Sequence, residues 1–567
     1  MYSQTSTVGL LDNAIFSHQY AESTRAEDLE HSYRRAQAIG KLHNVSIEDL
    51  IELTPKFWKL HYDNIIAHDP VAHILVSIQL NLAAGTLAPY AVQRPDLQPL
   101  MRQILSFEVS SSFMLNEVGH GCDARNLETT ATREADGTFT LHTPNKDAVK
   151  FMPPSMPMAG IRRIAIVFAR LIVESEDRGI RPFVVPINDG QEMCRGIHSR
   201  LLPSITGGRM LDHALTSFDH VRLPAASMLG DLAKPLNERD QYLHAIQRLS
   251  TGTLALTLWI LPFLKCAAFI AGRYSQKRTV QQGIRGTRAP ILHFRTQQLP
   301  VLHAVAQVAV IEAYANWATD EFSNNKSLHP GTRYGLSVIL KNVMIFDGQK
   351  SLGNLMERSG AQGMYSHNQM ATFEALTRAT GIAEGEILVL SIRLATELLI
   401  KRYEIPQPRN PHCLLAKHEM GVISELKMRQ TKIRDHRSHD YNNLILPHCR
   451  SMVLAIGQRM AYEAALDAGV DRSLLDLYEA GAIASDPGWY IQNLGITREE
   501  LAQLESRAAD VVLPHLDAHL SGLDIEPFCT APMLSSGLWQ NIVESSTLFT
   551  GNSFVSVPGV EREGSKL

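Results

Sequence analysis

The sequence predicts a mainly α-helical protein of the α+β class. It has an N-terminal helical domain, a central small β-barrel or β-sandwich domain, and two C-terminal helical-bundle domains. Two changes of period carry this reading. Apolar residues recur at helical spacing through the first 110 residues, then alternate as in strands from about residue 128 to residue 223. From about Leu236 the helical period returns and persists. Length agrees: 567 residues are too many for one hydrophobic core, so three or four folding units are expected.

The elements follow in order. "AEDLEHSYRRAQAIGKLH" carries Leu29, Tyr33, Ala36 and Ile39 at helical spacing. "SIEDLIEL" opens with Ser46 as an N-cap and has Glu48 and Asp49 in its first turn. "VAHILVSIQLNLAAGTLAPYA" is apolar around most of its surface and reads as one buried helix. "ADGTFTLHTP" sets Asp136 and Gly137 at a hairpin turn with Phe139 and Leu141 on one face. "RIAIVFARLIV", "RPFVVPI" and "ALTSFDHVRLP" read as three further strands. Long amphipathic or buried helices come next, in "RDQYLHAIQRLSTGTLALTLWI", "TQQLPVLHAVAQVAVIEAYANWATDEF" and "EILVLSIRLATELLIKRY". The proline-rich "YEIPQPRNPH" marks a boundary, after which "PHCRSMVLAIGQRMAYEAALDAG" anchors the last unit. The expected domains are 1–112, 113–235, 236–402 and 413–562, with a tail at 563–567.

Composition excludes several classes. With 45% hydrophobic and 20% charged residues and a net charge of −4, the chain has no basic face for nucleic acid. The six cysteines form no CxxC pair and none stands at zinc-ligand spacing, so reduced thiols and no structural metal are expected. The apolar stretch "TLALTLWILPFLKCAAFIAG" is broken by Pro262 and Lys265 and reads as a kinked bundle helix, so no membrane span is expected. The sequence closes on Ser565, Lys566 and Leu567, the tripeptide read by the peroxisomal import receptor, and the peroxisome is the expected compartment.

The chemistry concentrates in two segments. "NEVGHGCDARNLETTAT" joins a polar, glycine-bearing turn to a threonine-rich strand, and glycine lets backbone approach a ligand closely. "SGAQGMYSHNQMATFEALTRATGIAEGEILVL" ends on two carboxylates at a helix start. These segments, the domain order and the closing tripeptide resemble the acyl-CoA oxidases, the peroxisomal branch of the acyl-CoA dehydrogenase superfamily. The family shows E-x-G-H-G and a variant of R-x-L-E-T-T-A-T at the first segment. At the second it shows C-G-G-H-G-Y followed by E-G-(D/E)-N-T-V. "IRPFVVPI", "HVRLPAASMLGD", "GRYSQKR" and "ILHFRTQQ" match further family motifs in the right order.

The resemblance implies an FAD-dependent enzyme that desaturates the α,β bond of an acyl-CoA thioester and passes electrons to oxygen. Counting from Gly363, Glu384 takes the place of the catalytic base. The resemblance places Asn116, Gly119, Gly121, Ser155, Arg273, Arg278, Gln298, Gly360 and Gly363 at the cofactor, with Gln297 beside them. It also implies a homodimer whose flavin site is shared, with Arg273 or Arg278 supplied by the neighbouring chain. Blander readings stand beside these. From spacing alone Glu384 is a helix-start carboxylate favoured by the helix dipole, and Glu386 keeps that role in the family alignment. The arginines read equally as a solvated face, the glutamines as surface polarity, and His120 as a loop histidine bonded to backbone.

The sequence departs from the family around the flavin. Asn116 replaces a threonine, and "KFMPPSMP" replaces K-W-W-P-G-G, with Pro154 on its first glycine. Proline has no N–H to donate, and Ser155 is the expected substitute donor. Ile387 stands at an asparagine, Arg295 at a glutamine and Gln362 at a histidine. Three readings therefore compete: a divergent oxidase, a flavin-independent or flavin-altered enzyme doing thioester enolate chemistry with Glu384, and a non-catalytic oxidase subunit.

Overall fold

The computed structural model describes residues 7–17, 24–203, 211–283, 286–433 and 435–552; residues 565–567, with the import tripeptide, lie outside them. The N-terminal helices are α1 (Arg25–His43), α2 (Ile47–Glu52), α3 (Pro55–His61), α4 (Ile65–His68), α5 (Pro70–Ser77), α6 (Gly85–Gln93) and α7 (Gln98–Leu105). Thr24 and Ser46 each close a capping box, with Glu27 and Asp49. The stretch expected as one buried helix is interrupted: Ile78–Ala84, between α5 and α6, is π-helical. The wider turn admits an extra residue, and such segments are frequent at functional sites. It carries Asn81, which is fully buried.

The strands are β1 (Ser110–Met114), β2 (Thr130–Arg133), β3 (Phe139–His142), β4 (Lys150–Pro154), β5 (Arg163–Val173), β6 (Glu176–Asn188), β7 (Ile197–Leu201), β8 (His213–Phe218) and β9 (Val221–Leu223). β6 runs antiparallel along one edge of β5. β1 and β2 share the other edge end to end, both parallel to β5. The chain therefore leaves that edge at Met114 and returns at Thr130, so the polar glycine turn is thrown out as a loop between two strands. β2, β3 and β9 complete this sheet, while β4, β8 and β7 form a second, antiparallel one. The segment "ALTSFDHVRLP", expected as one strand, splits at His220, where φ is +49°. β8 joins the smaller sheet and β9 the larger. Phe139, Val167, Phe183, Val185 and Phe218 form a core for this unit, separate from the helical one.

The second helical part comprises α8 (Glu238–Ala245), α9 (Arg248–Thr257), α10 (Ile260–Lys277), α11 (Arg295–Asn324), α12 (Pro330–Arg358), α13 (Met370–Ile382) and α14 (Ile387–Leu399). A short hairpin, β10 (Thr279–Gln281) with β11 (Arg288–Pro290), interrupts it. The last part runs through α15 (Leu414–Gln430), α16 (His439–Leu444), α17 (Cys449–Asp467), α18 (Arg472–Ile483), α19 (Pro487–Leu494), α20 (Arg498–Val512), α21 (Leu516–Ser521) and α22 (Ser536–Ser545). Pro262 sits in the first turn of α10, where a missing N–H removes no helical bond. Among the described residues two stretches are apolar and long enough to cross a membrane, Pro70–Gln93 and Arg248–Lys277, but 89% and 94% of their most apolar 18-residue windows are buried within the protein. They are core helices.

Candidate active site

Glu384 lies in the tight connection between α13 and α14. Its backbone is left-handed, with φ of +55°, a conformation that L-residues adopt only when the surroundings enforce it. The surroundings here are specific. The Lys341 ammonium, on α12, donates to the carbonyls of Ala383 at 2.7 Å and Gly385 at 2.8 Å. The Thr253 hydroxyl, on α9, donates to the carbonyl of Glu384 at 3.0 Å. Three successive carbonyls are thus pinned by two helices. The Glu384 N–H donates to no acceptor among the described residues.

The carboxylate points inward. Its Oε2 is buried and has no hydrogen-bond partner. A Cβ on Gly252 would lie 1.7 Å from Oε2 and 2.7 Å from Asn81 Nδ2, so only glycine on α9 leaves the carboxylate its place. Burial raises the Glu384 carboxyl to about 8, against the opposing pull of Lys341 and Arg248. Burial lowers Lys341 to about 8 and Arg248 below its ordinary value, with the Glu384 charge opposing both shifts. Glu386 behaves differently: its Oε2 accepts the N–H groups of Leu388 and Val389, both at 3.0 Å, and caps α14.

The loop between β1 and β2 is built on Glu117. This fully buried carboxylate accepts from Lys150 at 2.9 Å, from the N–H groups of Glu128 and Thr129, and from the Thr129 hydroxyl. Lys150 completes the network on the carbonyls of Leu115 and Phe168. A buried charge pair satisfied on both sides in this way fixes a loop whose tip is exposed. His120 bonds Glu128 at 2.9 Å. A Cβ on Gly119 would clash with Asp147, whereas Gly121, at φ +41°, faces open space. Cys122, at the exposed tip, lies on the side of the loop towards Lys341, so loop and carboxylate share one region. Asn116 is exposed and its carbonyl accepts the Phe151 N–H at 3.0 Å.

Two residues expected at the cofactor are engaged within the chain. Ser155 was the expected substitute donor for Pro154, but its hydroxyl is fully buried between strands and is engaged by Thr216 at 2.8 Å and Ser199 at 3.0 Å. The Pro154 carbonyl is equally internal, accepting from Ser112 and Arg163. Arg273 is paired within the chain, to Asp517 at 2.5 Å and the Ser521 hydroxyl at 2.9 Å. Arg278 is exposed. Gln297 ties three helices together, donating to Ser275 at 2.8 Å and to the carbonyl of Arg358 at 3.2 Å. Gln298 donates to the carbonyl of Leu292 at 2.9 Å. A Cβ on Gly363 would strike the carbonyl of Met356, so this glycine serves packing; Gly360, at φ +63°, faces open space. Gln362 accepts from Asn368 at 3.0 Å, Arg295 pairs with Asp510, and Ile387 is buried.

These residues form two clusters. Glu384 and the glycine loop lie near Lys341. Gln297, Gln298, Arg278 and Gly360 gather near Arg358. Both reference residues are on α12, 17 positions apart, which is about 25 Å along a helix.

No protein-family model matches the chain. An acyl-CoA oxidase from Yarrowia lipolytica superposes with a TM-score of 0.78 at 17% identity, covering 94% of this chain and 88% of that one. The chain has the acyl-CoA oxidase fold. Acyl-CoA oxidase 1 of Arabidopsis thaliana shares it, with a TM-score of 0.71 at 16% identity over 93% of this chain and 94% of that one. Among curated proteins, peroxisomal acyl-coenzyme A oxidase 1 of Mus musculus is 26% identical over 427 residues, 70% of this chain and 61% of that protein. A probable acyl-coenzyme A oxidase of Caenorhabditis elegans is 22% identical over 62% of this chain and 55% of that protein. The chain thus matches about half the length of these curated relatives.

Within this acyl-CoA oxidase fold, sequence reasoning passed over Asn81, Arg248, Gly252, Thr253 and Lys341. For Asn81 and Lys341 the one signal was a polar or charged residue inside a run otherwise apolar, as in "SIQLNLAAG" and "SVILKNVMIF". Such a residue is costly to bury without a purpose.

Proposed function

We propose that this chain is an FAD-dependent acyl-CoA oxidase in which Glu384 removes the α-proton of an acyl-CoA thioester. The observation that carries the reading is the Glu384 side chain itself: a buried carboxylate oxygen with no partner, on a pinned loop, with an unpaired N–H on the same residue. A base needs a raised pKa and a free lone pair, and an enolate oxygen needs a fixed donor. Oxidases in the same fold support the cofactor: a solved acyl-CoA oxidase of Caenorhabditis elegans is described as complexed with FAD and ATP.

The residues present fit a flavin dinucleotide. Gly121 and Gly360 combine left-handed backbone with open space, which close approach of a ligand requires. Asn116 and Arg278 offer exposed donors, and a guanidinium suits a phosphate. Ser155 is not part of this set. Bound FAD would supply the acceptor for the β-hydride and hand the electrons to oxygen. The chain does the rest. Glu384 takes the α-proton onto its carboxylate, and its N–H donates to the thioester oxygen as charge gathers there. Lys341 and Arg248 add positive charge beside the carboxylate. α9 and the π-helical segment keep water from the carboxylate.

The two clusters on α12 suggest that each flavin is held by both chains of a homodimer, with Arg278, Gln298 and Gly360 reaching the partner's Glu384 region. The relatives' names support a peroxisomal location. The visible spectrum tests the central claim. Purified protein is expected to be yellow, and an acyl-CoA should bleach the flavin band in the absence of oxygen. Protein that is colourless and takes up no added FAD overturns the reading. A second reading, thioester enolisation without flavin, draws on Pro154 and the buried Ser155. It predicts solvent deuterium at the substrate α-carbon with no enoyl product.

A further inference from the structure

The inner side of Glu384 is unusually polar. Asn81 has neither amide atom bonded, and Arg248 Nη2, His61 Nε2, both ring nitrogens of His73 and Trp259 Nε1 are likewise buried without partners. Buried polar atoms in folded proteins nearly always have partners, so this many in one place call for an explanation. His61, His73 and Asn81 are fully buried, Arg248 is 8% exposed and Trp259 3%.

They are also contiguous. Asn81 Nδ2 and Glu384 Oε2 both crowd the same face of Gly252. Arg248 donates to the carbonyls of Asn81 at 2.8 Å and Leu50 at 2.7 Å, and lies over the Phe57 ring at 5.1 Å. Phe57 meets His61 at 4.5 Å, His61 meets His73 at 6.2 Å, and His73 meets Trp259 at 5.4 Å between ring centroids. Burial holds both histidines neutral, His61 at about 3 and His73 well below its ordinary value. His61 Nδ1 bonds the carbonyl of Phe57 at 2.9 Å, so its Nε2 is an acceptor. The line therefore offers both donors and acceptors.

Glu384 Oε2 lies against Gly252 and Asn81, with Arg248 bonded behind Asn81, so an acyl group deprotonated there brings its first carbons beside these two side chains. We infer that the acyl group this site accepts bears oxygen, as a hydroxyl or a carboxylate, close to the thioester, where Asn81 and Arg248 bond it. A plain hydrocarbon chain would leave every one of those atoms unpaired. The inference rests on the acyl-CoA reading above and narrows its substrate class.

The test uses the full flavin-loaded chain and three CoA thioethers of equal chain length that cannot be enolised: butyl-, 4-hydroxybutyl- and 3-carboxypropyl-CoA. Calorimetry is expected to show one oxygenated analogue binding tighter than butyl-CoA by about a hundredfold or more, and which one identifies the group. Asn81→Leu and Arg248→Met should each bring that ratio down towards one. Arg248 also bridges two backbone carbonyls, so Asn81→Leu decides the matter if Arg248→Met does not fold. Butyl-CoA binding as tightly as the others, or a preference that survives Asn81→Leu, overturns the inference. If butyryl-CoA bleaches the flavin in that case, the oxidase reading still stands and the unpaired atoms are served by water. Failure of all three analogues to bind overturns the inference, and if butyryl-CoA also leaves the flavin band unbleached the acyl-CoA reading falls with it.

Discussion

Two carboxylates two positions apart, Glu384 and Glu386, look alike in sequence and do opposite things. Glu386 spends its oxygen on two N–H groups of α14, while Glu384 Oε2 is left bare. Position in the family's motif distinguished them; composition and helical spacing did not. The difference has a pH signature. Because burial favours the neutral acid, Glu384 gives up its proton only near 8, and only the ionised form is a base. Anaerobic flavin bleaching by an acyl-CoA is expected to accelerate as pH rises through about 8 and to level off above it. Glu384→Gln should keep bound flavin, lose about a thousandfold or more in rate, and show no such limb. Lys341→Met removes a charge that stabilises the carboxylate, so its limb should move to higher pH as the plateau falls. Lys341 and Asn81 were illegible in the sequence because each is a polar residue in a largely apolar run, and Arg248 because it stands among other polar residues in "AIQRLSTG". Nothing local says whether such a residue faces solvent or a buried carboxylate brought from a distant part of the sequence.

Elements set the site through two simple placements. α9 approaches Glu384 so closely that residue 252 has room for hydrogen alone. Gly252→Ala is therefore expected to abolish turnover by displacing the carboxylate. Circular dichroism and flavin content should stay as in the parent, and retained activity would refute the placement. The β1–β2 excursion hangs on the Glu117–Lys150 pair. Lys150→Met strands a buried carboxylate and should destabilise the protein by about 3–5 kcal/mol, read from denaturant or thermal unfolding. Adding Glu117→Gln should restore part of the loss. The order of helices, strands and helices was readable because hydrophobic period changes twice along the chain. The π-helical turn at Asn81, the break at His220 and the β10–β11 hairpin were not. Each depends on where the chain must go next rather than on its own residues. The hydroxyl partners of Ser155 were hidden for the same reason, since Thr216 and Ser199 reach it from strands far along the sequence.

At the scale of the molecule, α12 holds the two clusters about 25 Å apart. If each flavin spans two chains, damage to one cluster in one chain and to the other cluster in its partner leaves one intact site per mixed dimer. Glu384→Gln and Arg278→Glu should each be inactive alone. Co-expressed with different tags and purified through both, they should recover activity, up to about half that of the parent dimer when one site in two is whole. No recovery in the doubly purified pair would show that each chain holds its own cofactor unaided.

Pinning three carbonyls around Glu384 leaves the amide of that residue, like those of Gly385 and Glu386 after it, without an acceptor among the described residues. In heavy water that amide should exchange its hydrogen readily, while the helical amides flanking it exchange slowly. A thioester oxygen settling on it would close that exchange. Deuterium uptake by the α13–α14 peptide, followed with and without a thioester, would then time the arrival of substrate at the base.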